Sequence, residues 1–369
     1  MADDDATEIR PEEPSDRFSQ APRTASSTDR YGILSRSTLL RHTLFAVAGI
    51  LLAWLMIKQF SPATNQELQL IPAYVCAAIG LTLLVGLSGQ ISLGHGAFMM
   101  VGAYTFALLW PKWQLHPNLT MIGAFAAAVV VSAVAGGIVG VAAARLRGPY
   151  LAGATLALAV GLPSMTQYEK LSSHLKGSQG ISIPSANAPA NSGFDFVQWP
   201  LFIGVICSIV LLWFTANLMR SRVGRSMRAV RDDEVAASLS GLSVPGVQVL
   251  AFVVSAAWAG LGGALYALAL SNASPAAFSV QLSLTLLAAV VIGGLGSLSG
   301  AVLGSVFVVM LTNYWAQNLS DALSISSDKV ANNLPLLIYG VLLALAMLVA
   351  PGGIVGSLRR LIALVRPAR

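Results

Sequence analysis

GLSGQISLGHGAFMMVGAYT, residues Gly86 to Thr105, places Gly86, Gly89, Gly94, Gly96, Gly102 and a lone histidine, His95, between apolar runs. Glycine at this density lets backbones approach closely and lets a membrane helix break where a pathway must open. Ser88, Gln90, Ser92 and His95 lie among these glycines. Facing lipid they would be costly, so they are expected to face protein or water and are candidates to line a path or an inner gate. His95 by itself reads first as a structural histidine bonded to a neighbouring backbone carbonyl.

The rest of the chain fixes the environment. Of its 369 residues 55% are hydrophobic and 10% charged, with a mean hydropathy of +0.71. A soluble domain carries roughly 25% charged residues, so this is an integral membrane protein. Cys76 and Cys207 sit in apolar runs and read as small hydrophobes rather than a disulfide pair. Residues 1–40 are rich in Asp, Glu, Ser, Thr and Pro and are expected to form a disordered tail. The first apolar run begins only after Arg41, beyond the reach of a signal peptide, so the tail is expected to stay on the mature chain.

Ten runs approach the roughly 20 apolar residues that cross a bilayer. They are Thr43–Ile57, Leu68–Val85, Ile91–Trp110, Met121–Ala143, Tyr150–Met165, Trp199–Met219, Val247–Leu270, Leu282–Gly296, Ala301–Leu319 and Leu334–Ala350. Several are short or glycine-broken, which leaves eight or nine spans as alternatives to ten. Charge placement favours ten: with the amino terminus inside, every arginine falls on the cytoplasmic side, while Lys58, Lys112, Lys170, Lys176 and Lys329 fall outside. The expectation is an all-α, multi-pass protein with both termini cytoplasmic. The pI near 9.5 reflects this bias rather than nucleic-acid binding.

No Asp, Glu, Lys or Arg stands in the middle of a run. Proton- and ion-coupled transporters usually keep ionisable groups there, so secondary active transport loses weight. No Gly-Lys-Ser/Thr phosphate loop is present either, so any ATP must be hydrolysed by another polypeptide. No cofactor and no metal site is expected.

Between the sixth and seventh runs lies SRVGRSMRAVRDDEVAASLSGLSV, Ser221 to Val244, the only substantial charged loop of the membrane body. Its middle is expected to be helical, with Val235, Ala236, Ala237, Leu239 and Leu242 forming a small apolar face before Gly241. A short helix of small residues can lie in a partner's groove; the plain alternative is a solvated connector. A second glycine-rich turn, Gly293 to Gly304, carries Ser297 and Ser299 and joins the eighth and ninth runs. Both turns fall on the cytoplasmic side.

The opening stretch resembles the signature of LivM-type permeases, the membrane subunits of ABC importers for branched-chain amino acids. The resemblance extends to RGPYLAGATLAL (Arg147–Leu158), GSQGI (Gly177–Ile181) and VIGGLGSLSGAVLG (Val291–Gly304), and covers nearly everything from Leu68 to Ile354. The chain departs from it at Pro351-Gly352-Gly353-Ile354 and at Ala301, where the family often has other residues. The resemblance implies an ABC importer permease fold with a coupling loop. It assigns Arg231, Asp232, Glu234, Ala236, Ala237 and Gly241 to ATPase coupling, Glu234 being offset by one residue from the oldest form of the pattern. It also implies a homologous LivH-type permease, two cytoplasmic ATP-binding subunits and an external solute-binding protein as partners, in a bacterial inner (plasma) membrane.

The domains expected are a tail (1–40), a permease body (41–354) and a basic carboxyl-terminal segment (355–369). In the last, Leu358, Leu361, Ile362 and Val365 flank arginines in the manner of a helix lying on anionic membrane lipid. The outer loop Thr166–Gln198, with Glu169, Lys170, Lys176 and Asp195, and a second with Asp321, Asp328 and Lys329, suit either transient docking of a soluble protein or plain solvation. Two other readings stay open: a urea or amide importer of the same superfamily, and an ATP-independent channel or facilitator.

Overall fold

The computed structural model describes residues 38–112, 117–146, 148–184, 193–312 and 353–356, with single positions at 186, 188, 340, 341 and 344. The body, His42–Arg369, is a separate unit from residues Met1–Arg41. Each of the first nine apolar runs corresponds to one helix among the described residues. Five are long and apolar enough to cross a membrane: His42–Gln59, Thr64–Leu87, Thr120–Ala143, Gln198–Arg220 and Val244–Leu270. Four are shorter: His95–Leu109, Tyr150–Met165, Val280–Gly293 and Leu298–Met310. The tenth run, the outer residues Asp321, Asp328 and Lys329, the amino-terminal tail up to residue 37 and the basic carboxyl-terminal segment from 357 lie outside the described residues, residues 340, 341 and 344 of the tenth run apart.

In chain order the elements are α1 (His42–Gln59), α2 (Pro62–Leu68), α3 (Leu70–Leu81, extended by a π-helical turn Thr82–Leu87), α4 (His95–Leu109), α5 (Pro117–Ala143), α6 (Pro149–Met165), α7 (Glu169–Leu175), α8 (Gln198–Arg220), α9 (Arg222–Asp232), α10 (Glu234–Leu239), α11 (Val244–Leu270), α12 (Val280–Gly293) and α13 (Leu298–Met310). A two-residue ribbon pairs Ile181 with Ala273 and Ser182 with Asn272, tying the outer loop to the end of α11. Lys58, at the end of α1, lies 4.6 Å from the centre of the Trp54 ring and 5.3 Å from that of Phe194, a cation–π contact that holds the same loop.

The core is built around α11, which packs against α3, α4 and α5. Between helices surrounded by lipid the hydrophobic effect supplies little, so close van der Waals contact and interhelical hydrogen bonds must hold the bundle. Gly260, Gly262 and Gly263 provide the contact. A Cβ on Gly263 would run into the backbone of Met99 of α4, one on Gly262 would come within 2.6 Å of the Ala73 carbonyl of α3, and one on Gly260 would meet Ser132 of α5. Hydroxyls add the bonds: Ser255 donates to the Gly80 carbonyl (2.8 Å) and Ser208 of α8 to the Pro72 carbonyl (3.2 Å).

The surface sorts by side-chain size. Helix α1 exposes Leu44, Phe45, Val47, Leu51, Leu52 and Leu55, and α5 exposes Ile122, Val130, Val131, Val134 and Ile138, the bulky apolar faces that lipid accepts. Helix α6 mixes large and small, exposing Tyr150, Val160 and Met165 beside Gly153, Ala154 and Ala157, and nothing lies within 4 Å of a Cβ placed on Gly153 or Gly161.

Candidate functional site

Two glycine turns and the arginine-rich loop Ser221–Val244 come together at one end of the bundle. The first turn begins where α3 loosens into the π-helical turn, which ends with Ser88 donating its amide to the Leu83 carbonyl. Such turns leave helical carbonyls without intrahelical partners. Gly89 then turns the chain with φ +72°, a conformation that favours glycine. The following backbone is held by side chains from three directions. The Leu93 amide donates to the Thr155 hydroxyl of α6 (3.0 Å), Gly94 to Ser92 (3.3 Å) and Gly96 to the Ser283 hydroxyl of α12 (2.9 Å).

Ser88, Gln90, Ser92 and His95 are all buried in protein. The Ser88 hydroxyl and the Gln90 carbonyl oxygen are enclosed without a hydrogen-bond partner among the described residues. His95 opens α4, fully buried, with its ring edge-on to Phe98 at 6.2 Å between centroids. Its polar neighbour is the Ala77 backbone, in a geometry short of a well-formed hydrogen bond.

The second turn touches the first. Gly296 (φ +77°) faces Gly86 so closely that a Cβ on Gly86 would lie 2.5 Å from the Gly296 backbone, and Gly353 abuts Gly294 equally tightly. Ser297 caps α13 by accepting the Gly300 amide (3.2 Å) and lies 3.0 Å from the Ser299 hydroxyl. Ser299 itself is exposed.

The loop is two short helices rather than one. Asp233 leaves helical geometry (φ −158°, ψ 109°) and caps α10, its carboxylate accepting the amides of Val235 (2.8 Å) and Ala236 (3.0 Å). The short helix of small residues expected before Gly241 is present as α10, and a second helix, α9, precedes it, because the capping aspartate competes with a helix that would otherwise run on through it. Helix α9 is amphipathic, burying Gly224, Met227 and Val230. Arg225 and Arg228 reach back to the Arg220 and Met219 carbonyls, each at 3.0 Å, satisfying the end of α8 where its dipole favours positive charge.

On α10, Ala237 is buried, whereas Val235 and Leu239 are 68% and 84% exposed and so form an uncovered apolar pair. Gly241 follows at φ +83° with nothing within 4 Å of a Cβ. Its requirement for glycine in this chain comes from backbone conformation and not from a shortage of space. Glu234 accepts a hydrogen bond from Gln248 of α11 at 2.9 Å.

Arg231 joins loop to turn. Its Nη1 donates to the Gly86 carbonyl at 2.6 Å, while Nε and Nη2 donate to one Asp232 oxygen at 3.1 and 2.8 Å. Below this contact a cavity of about 460 Å³ is lined by Ser88, Gln90, Arg231, Glu234 and Gln248 among others. The structure thus brings Ser88, Gln90, Arg231 and Glu234 to one cavity and Ser297 to the adjoining turn. It places His95 deeper, among packed helices. Thr155, Ser283 and Gln248 hold this site and do not stand out in the sequence, since single hydroxyls and amides within or at the ends of apolar runs are common.

Residues 65–350 match the model of a family described as branched-chain amino acid transport system / permease component. The chain is 32% identical over 299 residues to the high-affinity branched-chain amino acid transport system permease protein LivM of Escherichia coli (strain K12), covering 73% of this chain and 68% of that protein. It is 28% identical over 297 residues to the corresponding permease protein BraD of Pseudomonas aeruginosa, covering 77% and 91%. With LivH of Escherichia coli (strain K12) it shares 27% identity over 296 residues, again 77% and 91%. No solved structure matches the chain significantly. With the family model spanning most of the membrane body and its glycine turns, the chain belongs to the permease components of branched-chain amino acid transport systems.

Proposed function

We propose that this chain is the membrane subunit of an ATP-driven importer, forming with a homologous partner the path for branched-chain or related hydrophobic amino acids. The observation that carries this reading is α10: a capped, two-turn helix with Val235 and Leu239 uncovered, on a loop bonded through Arg231 to the glycine turn. An apolar pair on a charged loop needs a partner surface, and two ATP-binding subunits docking there would supply the energy the chain lacks. Arg231, Asp232, Glu234, Ala236, Ala237 and Gly241 are then the coupling residues. Ser88, Gln90, Ser92, Ser297 and Ser299 form the inner gate around the paired turns, and His95 stands deeper, next to the path.

The exposed Gly153, Ala154 and Ala157 of α6 support a LivH-type permease as the lateral partner, since a second helix can approach closely at such residues. An external binding protein would deliver the solute to the outer loops. In this reading the body is residues 41–354, crossing a bacterial cell membrane ten times with both termini in the cytoplasm, and residues 355–369 lie on its inner leaflet. The similarity to LivM, BraD and LivH weighs against a urea or amide importer.

The test is co-purification of the ATP-binding subunits with tagged permease. Leu239→Asp and Ala236→Glu are expected to abolish it while leaving the permease in the membrane, because each sets a carboxylate against an apolar groove. Breaking complementarity in this way costs several kcal/mol, on the order of 3 to 5 for an unpaired buried charge. Ser173→Asp in the outer loop is the control. Undiminished co-purification in both loop variants would return the loop to a solvated connector.

A further inference from the structure

Arg231 is the last basic residue of α9. Arg225 and Arg228 bond to the end of α8, the helix immediately before them. Arg231 instead reaches across to a carbonyl far away in sequence, the Gly86 oxygen in the last turn of the π-helical segment, where helix carbonyls lack intrahelical partners. The contact is fitted to the side chain. A Cβ on Gly89 would lie 2.7 Å from Arg231 Cγ, so only glycine there lets the stem pass. Asp232 takes the other two donors through one oxygen, fixing the guanidinium plane so that the third donor points at Gly86. Beyond Gly86 stands Gly296, in backbone contact with it, and so the second turn and α13. One side chain therefore links the loop to both glycine turns through charge-assisted bonds and direct backbone contact.

We propose that Arg231 is a positioning residue that transmits movement of the loop to the paired glycine turns, so that displacing α9 and α10 pulls on Gly86 and shifts its packing against Gly296. This rests on the reading of the loop as the ATPase contact. The π-helical turn suits the role, because its hydrogen bonds are already rearranged relative to an α-helix and a pull on one carbonyl can shift them without breaking a regular helix. The role is mechanical and separate from docking, because Arg231 faces the bundle's turn while the uncovered Val235 and Leu239 belong to the next helix.

The experiment uses the complete transporter reconstituted with its ATP-binding subunits and binding protein, comparing wild type, Arg231→Gln, Arg231→Lys and Leu239→Asp. Three quantities are read: co-purification of the ATP-binding subunits, uptake per ATP hydrolysed, and the maleimide reactivity of a cysteine at Ser297 with and without ATP, in a background lacking Cys76 and Cys207. Arg231→Gln is expected to keep co-purification and hydrolysis, to lower uptake per ATP by roughly tenfold in keeping with loss of a charge-assisted bond, and to abolish the ATP-dependent change at position 297. Arg231→Lys, keeping one charged donor, is expected to fall between. Normal uptake per ATP and an unchanged response at position 297 in Arg231→Gln, with Leu239→Asp still failing to bind the ATPase, would overturn this proposal alone. Normal co-purification in Leu239→Asp would overturn the docking reading on which it rests.

Discussion

Gly263 shows how one residue decides a helix contact in this bundle. Its Cα lies against the Met99 backbone, so a side chain of any size forces α4 and α11 apart. Gly263→Ala is expected to destabilise the protein in detergent by about 1–3 kcal/mol, the usual cost of overpacking a tight core, and Gly263→Leu by more. Gly153→Ala, on an open face of α6, is expected to leave stability unchanged or slightly raised, since alanine is the better helix former. Thermal unfolding of the purified variants followed by size-exclusion chromatography checks both; equal melting of Gly263→Ala and wild type would remove the close contact from the account. The sequence makes such glycines conspicuous by density. It does not say which backbone each one meets, because the partners of Gly86, Gly102 and Gly263 lie far away in sequence and only the folded bundle pairs them.

At the scale of elements, apolar length was readable and local punctuation was less so. The first eight runs are helices close to their expected limits, and the ninth is helical from Leu298 to Met310, its residues beyond 312 lying outside the described ones, because a stretch in lipid must satisfy its backbone internally and apolar composition alone marks it. The π-helical end of α3 and the break at Asp233 were not readable, since both depend on bonds to groups elsewhere or on one capping carboxylate. That carboxylate is testable. Asp233→Ala removes the acceptor of two amides and is expected to cost about 1 kcal/mol of α10 stability, seen as faster hydrogen exchange at Val235 and Ala236 with no change in α9. Unchanged exchange at both amides would show that α10 is held by packing of Ala237 and not by its cap. That Ser88, Gln90, Ser92 and His95 face protein was legible, as polar residues among glycines. The site's supports, Thr155 and Ser283, were not, since a hydroxyl in an apolar run usually bonds within its own helix.

For the whole molecule the distribution of charge speaks more clearly than any motif. Among the described residues, Arg220 ends α8 and Arg222, Arg225, Arg228 and Arg231 follow on α9, while Lys58, Lys112, Lys170 and Lys176 belong to other segments. Cysteines placed at Ser173 on α7 and at Ser226 on α9 are therefore expected to react with an impermeant maleimide from opposite faces, Ser173→Cys from outside intact cells and Ser226→Cys only after the membrane is opened. Labelling of both from outside would reject the ten-span orientation. The chain's relatives are permease proteins of branched-chain amino acid transport systems, and the proposed function puts its energy source on other subunits. The most direct measurement is uptake of labelled leucine into proteoliposomes, with the purified chain alone and with its partner permease, ATP-binding subunits and binding protein. Accumulation is expected only in the complete assembly and only with ATP, whereas rapid, saturable flux through the chain alone would contradict a coupled permease and establish a facilitator.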